Sequence, residues 1–303
     1  MGYQWSQRCV ECEENLMIKV ATDWKDYQII ATGDGQKLER WGKLVLLRPD
    51  PQVIWHATSN LDKYKGINAH YLRSNSGGGR WETHGNIPQN FTIERKGLVF
   101  NLKLMGFKHT GLFPEQAVNW DIMQDMVEKA GRPINVLNLF GYTGGATVAL
   151  AKAGAKVTHV DAAKAMVDRC KFNAQSSNIP NDRIRYIVDD CGKFIAREIR
   201  RGNKYDAILM DPPSYGRGAN GEVWKIEENI HDLVNEAVKV LSDKPLFFLI
   251  NSYTTGLQPT VMSNILSLAL KDKQGEVEAY EVGLPTDEKI VLPCGCSAMW
   301  RAK

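Results

Sequence analysis

The sequence predicts an α/β protein with a doubly wound, mostly parallel sheet and a smaller β-rich N-terminal domain. Two observations carry that prediction. From Ile134 onward, short apolar runs of strand length alternate with helical stretches. The first 105 residues, in contrast, show short strand-like runs broken by turn signals and no helical period. The division falls at about residue 105, giving domains 1–105 and 106–303.

In the N-terminal part the expected strands are Tyr27–Ala31, Lys43–Arg48, Phe91–Glu94 and Leu98–Leu104. Gly33-Asp34-Gly35, Arg48-Pro49-Asp50-Pro51 and Ser76-Gly77-Gly78-Gly79 punctuate them as turns. Trp41, Trp55 and Trp81 read as the core of this small domain rather than as base-stacking groups. Ala117, Trp120, Met123, Met126 and Val127 then recur at helical spacing within 115–130, and Gly131 and Pro133 stop that helix.

The alternation follows. Strands are expected at 134–140, 156–160, 183–188, 205–210 and 245–250. Helices are expected at 145–153, 163–176, 192–201, 226–241 and 259–270, and two extended runs, 277–282 and 297–301, close the chain. Such a pattern builds right-handed βαβ units with helices on both faces, a Rossmann-like arrangement.

Length and composition set the outer bounds. The 303 residues suit two domains, and 43% hydrophobic with 24% charged residues is ordinary for a chain that buries a core. A net charge of +3 permits a nucleic-acid partner without arguing for one. No apolar run approaches the roughly 20 residues of a membrane span, and the polar, acidic start does not read as a secretory signal. The six cysteines show no secreted disulfide framework, so a reducing cytoplasm is expected. Cys9, Cys12, Cys294 and Cys296 also have the composition of a four-thiolate zinc site, although two pairs at opposite ends of a chain more often remain free thiols. No metal is expected. Monomer and homodimer are both compatible with the sequence.

In open α/β sheets, ligands bind beyond the carboxyl ends of the strands, so the chemistry is sought there. After the first strand stands Asn138-Leu139-Phe140-Gly141-Tyr142-Thr143-Gly144-Gly145, whose glycines allow close approach to the backbone. It lacks the G-x-G-x-x-G of dinucleotide binders. After the second strand, Asp161, followed by Ala162, is placed to accept ribose hydroxyls or to cap the next helix. After the third comes Asp189-Asp190-Cys191, where Asp190 can accept from an adenine amino group or act only as a cap. After the fourth comes Asp211-Pro212-Pro213-Ser214-Tyr215. Its prolines stiffen the loop and remove two N–H donors, leaving a carboxylate, carbonyls and an aromatic ring to meet a planar base. Acids suited to adenosine without the dinucleotide glycines favour S-adenosylmethionine over a nicotinamide cofactor.

At these residues the chain resembles the bacterial ribosomal-RNA large-subunit methyltransferases of the cytosine-C5 and guanine-N7 types, over roughly Gly106 to the C-terminus. Val136 to Gly145 is similar to their cofactor loop, and Val160-Asp161 and Asp189-Asp190 to their ribose and adenine motifs. Thr110-Gly111-Leu112-Phe113-Pro114-Glu115-Gln116 resembles the segment closing over the methionine end of the cofactor. The resemblance implies a class I methyltransferase sheet of seven strands. It also implies S-adenosylmethionine contacts from Phe113, Gln116, Asn138, Phe140, Gly141, Tyr142, Thr143, Gly144, Asp161, Ala162, Asp190, Cys191 and Asp211. The RNA-binding PUA domain of the cytosine-C5 enzymes is not recognised in the N-terminal part. Nor is their nucleophilic cysteine: the segment after the fifth strand reads Asn251-Ser252-Tyr253-Thr254-Thr255, closer to the Asn and Ser of the guanine-N7 type.

The expected function is therefore methyl transfer to a nucleobase nitrogen of ribosomal or other RNA, with Asp211, Pro212 and Tyr215 on the acceptor side. Asp211 and the Pro212 carbonyl would receive a proton, and Tyr215 would stack on a flipped base. Arg197, Arg200, Arg201 and Lys204 form a basic cluster, read first as a solvated helix face. Three alternatives stay open from sequence alone: a methyltransferase of a small molecule or protein side chain, a nicotinamide-dependent oxidoreductase on the same fold type, and a module that binds the cofactor without turnover.

Overall fold

The computed structural model describes residues 18–74, 78–106, 108–217 and 223–303, with Arg217 described by its backbone alone. The first strand, β1 (Ile18–Val20), is followed by a five-stranded sheet in sequential order: β2 (Tyr27–Gly33), β3 (Gln36–Trp41), β4 (Leu44–Pro49), β5 (Ala69–Arg73) and β6 (Gly79–Thr83). A separate hairpin pairs β7 (Phe91–Arg95) with β8 (Leu98–Leu102). Two of the turns follow from backbone freedom. Asp34-Gly35 and Lys96-Gly97 both take left-handed φ values, 52° and 78° in the first and 50° and 76° in the second, as tight two-residue hairpins require. Trp41 is fully buried, and Trp55 and Trp81 pack against the same core, donating their ring N–H groups to Thr32 Oγ1 and the Met105 carbonyl. All three are occupied inside the protein, as expected of core residues.

The main sheet follows helix α1 (Ala117–Lys129). Its units are β9 (Asn135–Leu139), α2 (Gly145–Lys152), β10 (Lys156–Asp161), α3 (Lys164–Ser176), β11 (Ile184–Val188), α4 (Cys191–Arg201) and β12 (Ala207–Met210). A short hairpin, β13 (Tyr215–Arg217) and β14 (Val223–Lys225), interrupts the alternation before α5 (Ile226–Val238), β15 (Phe247–Ser252) and α6 (Pro259–Ala269). Two long antiparallel strands, β16 (Gly275–Pro285) and β17 (Val291–Ala302), end the chain.

The sheet order is β1-β16-β17-β15-β12-β9-β10-β11. The chain winds from β9 outward through β10 to β11, then returns to β12 and β15 on the other side. The switch point thus lies at the carboxyl ends of β9 and β12, where ligands are expected. Strands β12 and β15 are buried along their whole length, as continuous apolar runs with helices on both sides should be. Trp120, Val148 and Ala174 of α1, α2 and α3 pack into the core on one face. Phe194, Val234 and Leu266 of α4, α5 and α6 pack on the other.

The sheet has eight strands where seven were expected, because β1, from the N-terminal part, adds in parallel to β16. The hairpin β7–β8 likewise packs on α3: the Val99 N–H donates to Ser177 Oγ and the Asn101 N–H to Asn173 Oδ1. Residues of the small sheet and of α1 share one continuous core. No helix among the described residues is long and apolar enough to cross a membrane.

Cys9 and Cys12 lie outside the described residues. Cys294 and Cys296 are arranged against sharing one ion. The β16–β17 register shifts so that Val282 faces Gly295 while Gly283 faces Pro293, leaving Cys294 as a bulged residue. The bulge turns Cys294 toward one core and leaves Cys296 in the other. Among the described residues no group of three or more metal-ligating side chains converges.

Candidate active site

A cleft of about 520 Å³, counting its open mouth, lies at the switch point. Of the residues singled out in the sequence, Phe113, Gln116, Asn138, Phe140, Gly141, Tyr142, Thr143 and Asp211 line it. Leu112, Trp120, Met123, Gly145, Ala146, Leu209, Met210, Leu249 and Asn251 complete the lining. Trp120 and Met123 had shown only as the apolar stripe of a helix. Asn251 stood out with Ser252 only through the resemblance to the guanine-N7 type, and nothing in the sequence tied it to the Asp211 loop.

The loop after β9 is shaped from below. Phe140, Tyr142 and Gly144 adopt φ values of 56°, 50° and 84°, so the chain turns left-handed at every second residue. The expected reason for its glycines was close approach of a ligand. The structure gives another: a Cβ on Gly141 would meet the His159 ring, one on Gly144 the Cys170 thiol, and one on Gly145 the Trp120 indole. The glycines let the loop sink onto the protein's own side chains. His159 is fully buried, its Nδ1 2.8 Å from Thr147 Oγ1, and that hydroxyl also accepts from Asn138 Nδ2 at 2.7 Å. Burial pulls the His159 pKa down to about 4, so the ring is neutral under the loop.

Asp161 ends β10 with its carboxylate accepting from two backbone donors, the Tyr142 N–H and the Ala163 N–H, each at 2.8 Å. Burial raises its pKa, and these two bonds oppose the rise. An ionised carboxylate accepts about four hydrogen bonds, so capacity remains for a ligand's hydroxyls. Ala162 is exposed beside it. Asp190 is the N-cap of α4, its Oδ1 accepting from the Lys193 N–H at 2.8 Å, and it is exposed. Asp189, next to it, pairs with Arg197 and donates its N–H to the Asp161 carbonyl. Cys191 is buried and accepts the Phe140 N–H at 3.3 Å; burial raises the pKa of its thiol far above the ordinary range. Gly144, Ala162, Asp161, Asp190 and Cys191 thus stand behind or beside the cleft wall rather than in it.

On the other side, Asp211 accepts from Asn251 Nδ2 at 3.0 Å. Burial pushes its pKa up, the Asn251 hydrogen bond opposes this, and the Glu115 carboxylate adds to the rise, for a result of about 7. Pro212 is buried. Tyr215 is 52% exposed at the start of β13. The Trp224 ring N–H donates to the Pro213 carbonyl at 2.6 Å, and its ring lies 5.6 Å from that of Phe140, so the hairpin braces the loop against the cleft wall. Above the cleft, Phe113 contacts the rings of His109, Tyr142 and Tyr253, with centroids 5.4–5.6 Å away. The segment bearing Phe113 is tied down where Thr143 Oγ1 donates to the Gly111 carbonyl and where Arg48 Nη1 donates to the Lys108 carbonyl. The basic cluster near α4 is largely spent internally: Arg197 on Asp189, Arg201 on Glu198, and Lys204 on the Lys239 carbonyl.

A family model described as S-adenosylmethionine-dependent methyltransferase matches residues 37–235. The chain belongs to that methyltransferase family. The match begins inside the small N-terminal sheet and runs through the cleft, and with it the nicotinamide alternative falls away. A solved S-adenosylmethionine-dependent methyltransferase from Agrobacterium tumefaciens is 33% identical, with a TM-score of 0.89 over 94% of this chain and 93% of that one. Among curated proteins, a ribosomal RNA large subunit methyltransferase K/L from Colwellia psychrerythraea is 26% identical, over 72% of this chain and 28% of its own length. A ribosomal RNA large subunit methyltransferase I from Photobacterium profundum is 27% identical, over 64% of this chain and 48% of its own length. The chain therefore spans less than half of either curated relative.

The cleft fits the cofactor of this methyltransferase family. It is mainly apolar and aromatic. The Asp161 carboxylate, with spare acceptor capacity, stands behind the Tyr142 turn of the cleft wall, and Gln116 and Phe113 are in the lining.

Proposed function

We propose that this methyltransferase transfers a methyl group to a nucleobase nitrogen of RNA, ribosomal RNA in the first instance, in the cytoplasm. The observation that supports this reading best is Asp211. It is a carboxylate in the wall of the cofactor cleft, oriented by Asn251 and held near neutrality by burial. The names of the curated relatives point to the same substrate class.

Bound S-adenosylmethionine supplies a methyl already activated on a sulfonium. The protein's contribution is alignment and management of one proton. Phe113, Gln116 and the 140–144 loop would hold the donor, with Asp161 placed to accept from the ribose and Asp190, beside Ala162 and Cys191, to meet the adenine. The acceptor nitrogen faces Asp211 and the Pro212 carbonyl, with Tyr215 stacking on the base. For an exocyclic amine, the nitrogen lone pair forms the new N–C bond, the S–C bond electrons stay on sulfur, and the N–H proton passes to the Asp211 carboxylate. Carbon methylation through a cysteine adduct fits poorly, because none of the described cysteines lines the cleft and burial raises the pKa of each.

Transfer of labelled methyl from S-adenosylmethionine into total RNA, a small-molecule extract and a protein extract tests the reading. Label is expected in a modified base of RNA. Label confined to either of the other fractions would replace this acceptor with the small-molecule or protein alternative.

A further inference from the structure

Behind Asp211 runs a buried chain of side-chain hydrogen bonds from β16 through α1 and β17 to β15. The Tyr280 hydroxyl donates to Asn119 Oδ1 at 2.7 Å. Asn119 Nδ2 donates to Ser297 Oγ at 2.9 Å and to Gln116 Oε1 at 2.8 Å. Ser297 donates to Asn251 Oδ1 at 2.7 Å, and Asn251 donates to Asp211. Asn119, Asn251 and Ser297 are fully buried, so water does not substitute for a missing partner.

An ionised Asp211 sets the direction of this chain. Its oxygens only accept, so the Asn251 amino group faces it and the Asn251 oxygen faces Ser297. Ser297 then donates to that oxygen and accepts from Asn119 Nδ2, and the Asn119 oxygen takes the Tyr280 phenol proton. Turning Asn251 over while Asp211 is ionised would set two oxygens against each other in a dry site, which is costly. The other branch settles Gln116, whose oxygen is taken by Asn119 and whose amino group donates to Tyr253 Oη at 2.8 Å. One residue of α1 thus orients a side chain on the donor wall and, through β17 and β15, the carboxylate on the acceptor wall.

We propose that Asn119 and Ser297 are positioning residues for methyl transfer, acting through Asn251 to keep Asp211 a competent proton acceptor. This rests on the reading of Asp211 as that acceptor. The titratable groups facing Asp211 are Glu115, from the turn before α1, and Tyr253, after β15, and neither is altered by the variants below.

Two measurements test the proposal. In protein carrying 13C-carboxyl aspartate, with the Asp211 resonance assigned by its loss in Asp211→Asn, the titration of Asp211 is followed in wild type, Ser297→Ala and Ser297→Thr. Initial rates with transcribed large-subunit ribosomal RNA are then compared across the neutral pH range, together with the Kd for S-adenosylhomocysteine. In Ser297→Ala the Asp211 titration and the acid limb of the rate should both move up by about one pH unit, a roughly tenfold loss on the acid side. The Kd should stay within about twofold, and Ser297→Thr should restore the wild-type position. An unmoved titration in Ser297→Ala overturns the relay, as does a uniform loss of rate and affinity that threonine does not rescue. If wild-type rates show no acid limb although Asp211 titrates, the assignment of Asp211 as proton acceptor fails, and the relay's role in transfer fails with it. A shifted titration alone would then report structure only.

Discussion

The two walls of the cleft are held by different means. On the donor side, the carboxylates Asp161 and Asp190 spend their hydrogen bonds on backbone N–H groups, so loop and acid fix each other. On the acceptor side, Asp211 accepts from a side chain, and that side chain is oriented by others from β17 and α1. A backbone-braced wall recognises by shape and changes little with pH. A carboxylate shielded by burial and tuned by one donor is suited to moving a proton. The contrast teaches that carboxylates at neighbouring strand ends take different work according to what completes their hydrogen bonds.

Substitutions can break that contrast. The largest effect is expected from Asp211→Asn, which should lower kcat by about 10²- to 10⁴-fold while leaving the Kd for S-adenosylhomocysteine nearly unchanged. An equal loss of both would erase the distinction between the walls. The same group sets the pH dependence. Its pKa is raised to about 7, so protons occupy it as pH falls through that value, and kcat should drop about tenfold per unit below it. A flat profile down to the ordinary carboxylate range would mean that Asp211 takes no proton.

Gly144→Ala comes next. It places a methyl on the Cys170 thiol at a left-handed φ of 84°, and should cost about 2–4 kcal/mol of stability in a denaturant titration. Asp161→Ala should weaken S-adenosylhomocysteine binding by about 1.5–3 kcal/mol, measured by calorimetry, with little change in the pH profile. The smallest effect is Asp190→Ala, a lost helix cap of about 1 kcal/mol in thermal unfolding. Weakened cofactor affinity beside that loss would support Asp190 at the adenine, and unchanged affinity would remove it from the donor site.

The alternation of strands and helices was legible because β12 and most of β15 are continuous apolar runs, β9 to β11 keep apolar residues among a few polar ones, and the turns after β9 to β12 carry glycine or an acid. The β13–β14 hairpin was not, since three-residue strands around Trp224 have no period to detect. Strand β3 hid for a different reason. Gln36-Lys37-Leu38-Glu39-Arg40-Trp41 looks solvent-exposed, yet Glu39 is fully buried against Arg48, with bonds of 2.5 and 2.7 Å. A charge neutralised by a partner on another strand is invisible in a one-dimensional pattern. The same holds for the site: the acids and glycines of the rim stood out by placement after strands, whereas Asn119 meets Ser297 and Tyr280 only across more than a hundred and fifty residues of sequence.

Strand β1 has a consequence for how the protein can be cut. It pairs Ile18 with Glu281 and Val20 with Gly283 at the margin of the large sheet, while Phe100 of the β7–β8 hairpin lies 5.3 Å from the Trp120 ring. A fragment starting near residue 106 would lose a bordering strand and bare an indole that also walls the cofactor cleft. Such a fragment is expected to melt at a lower temperature than the whole chain, which thermal denaturation of the two would check.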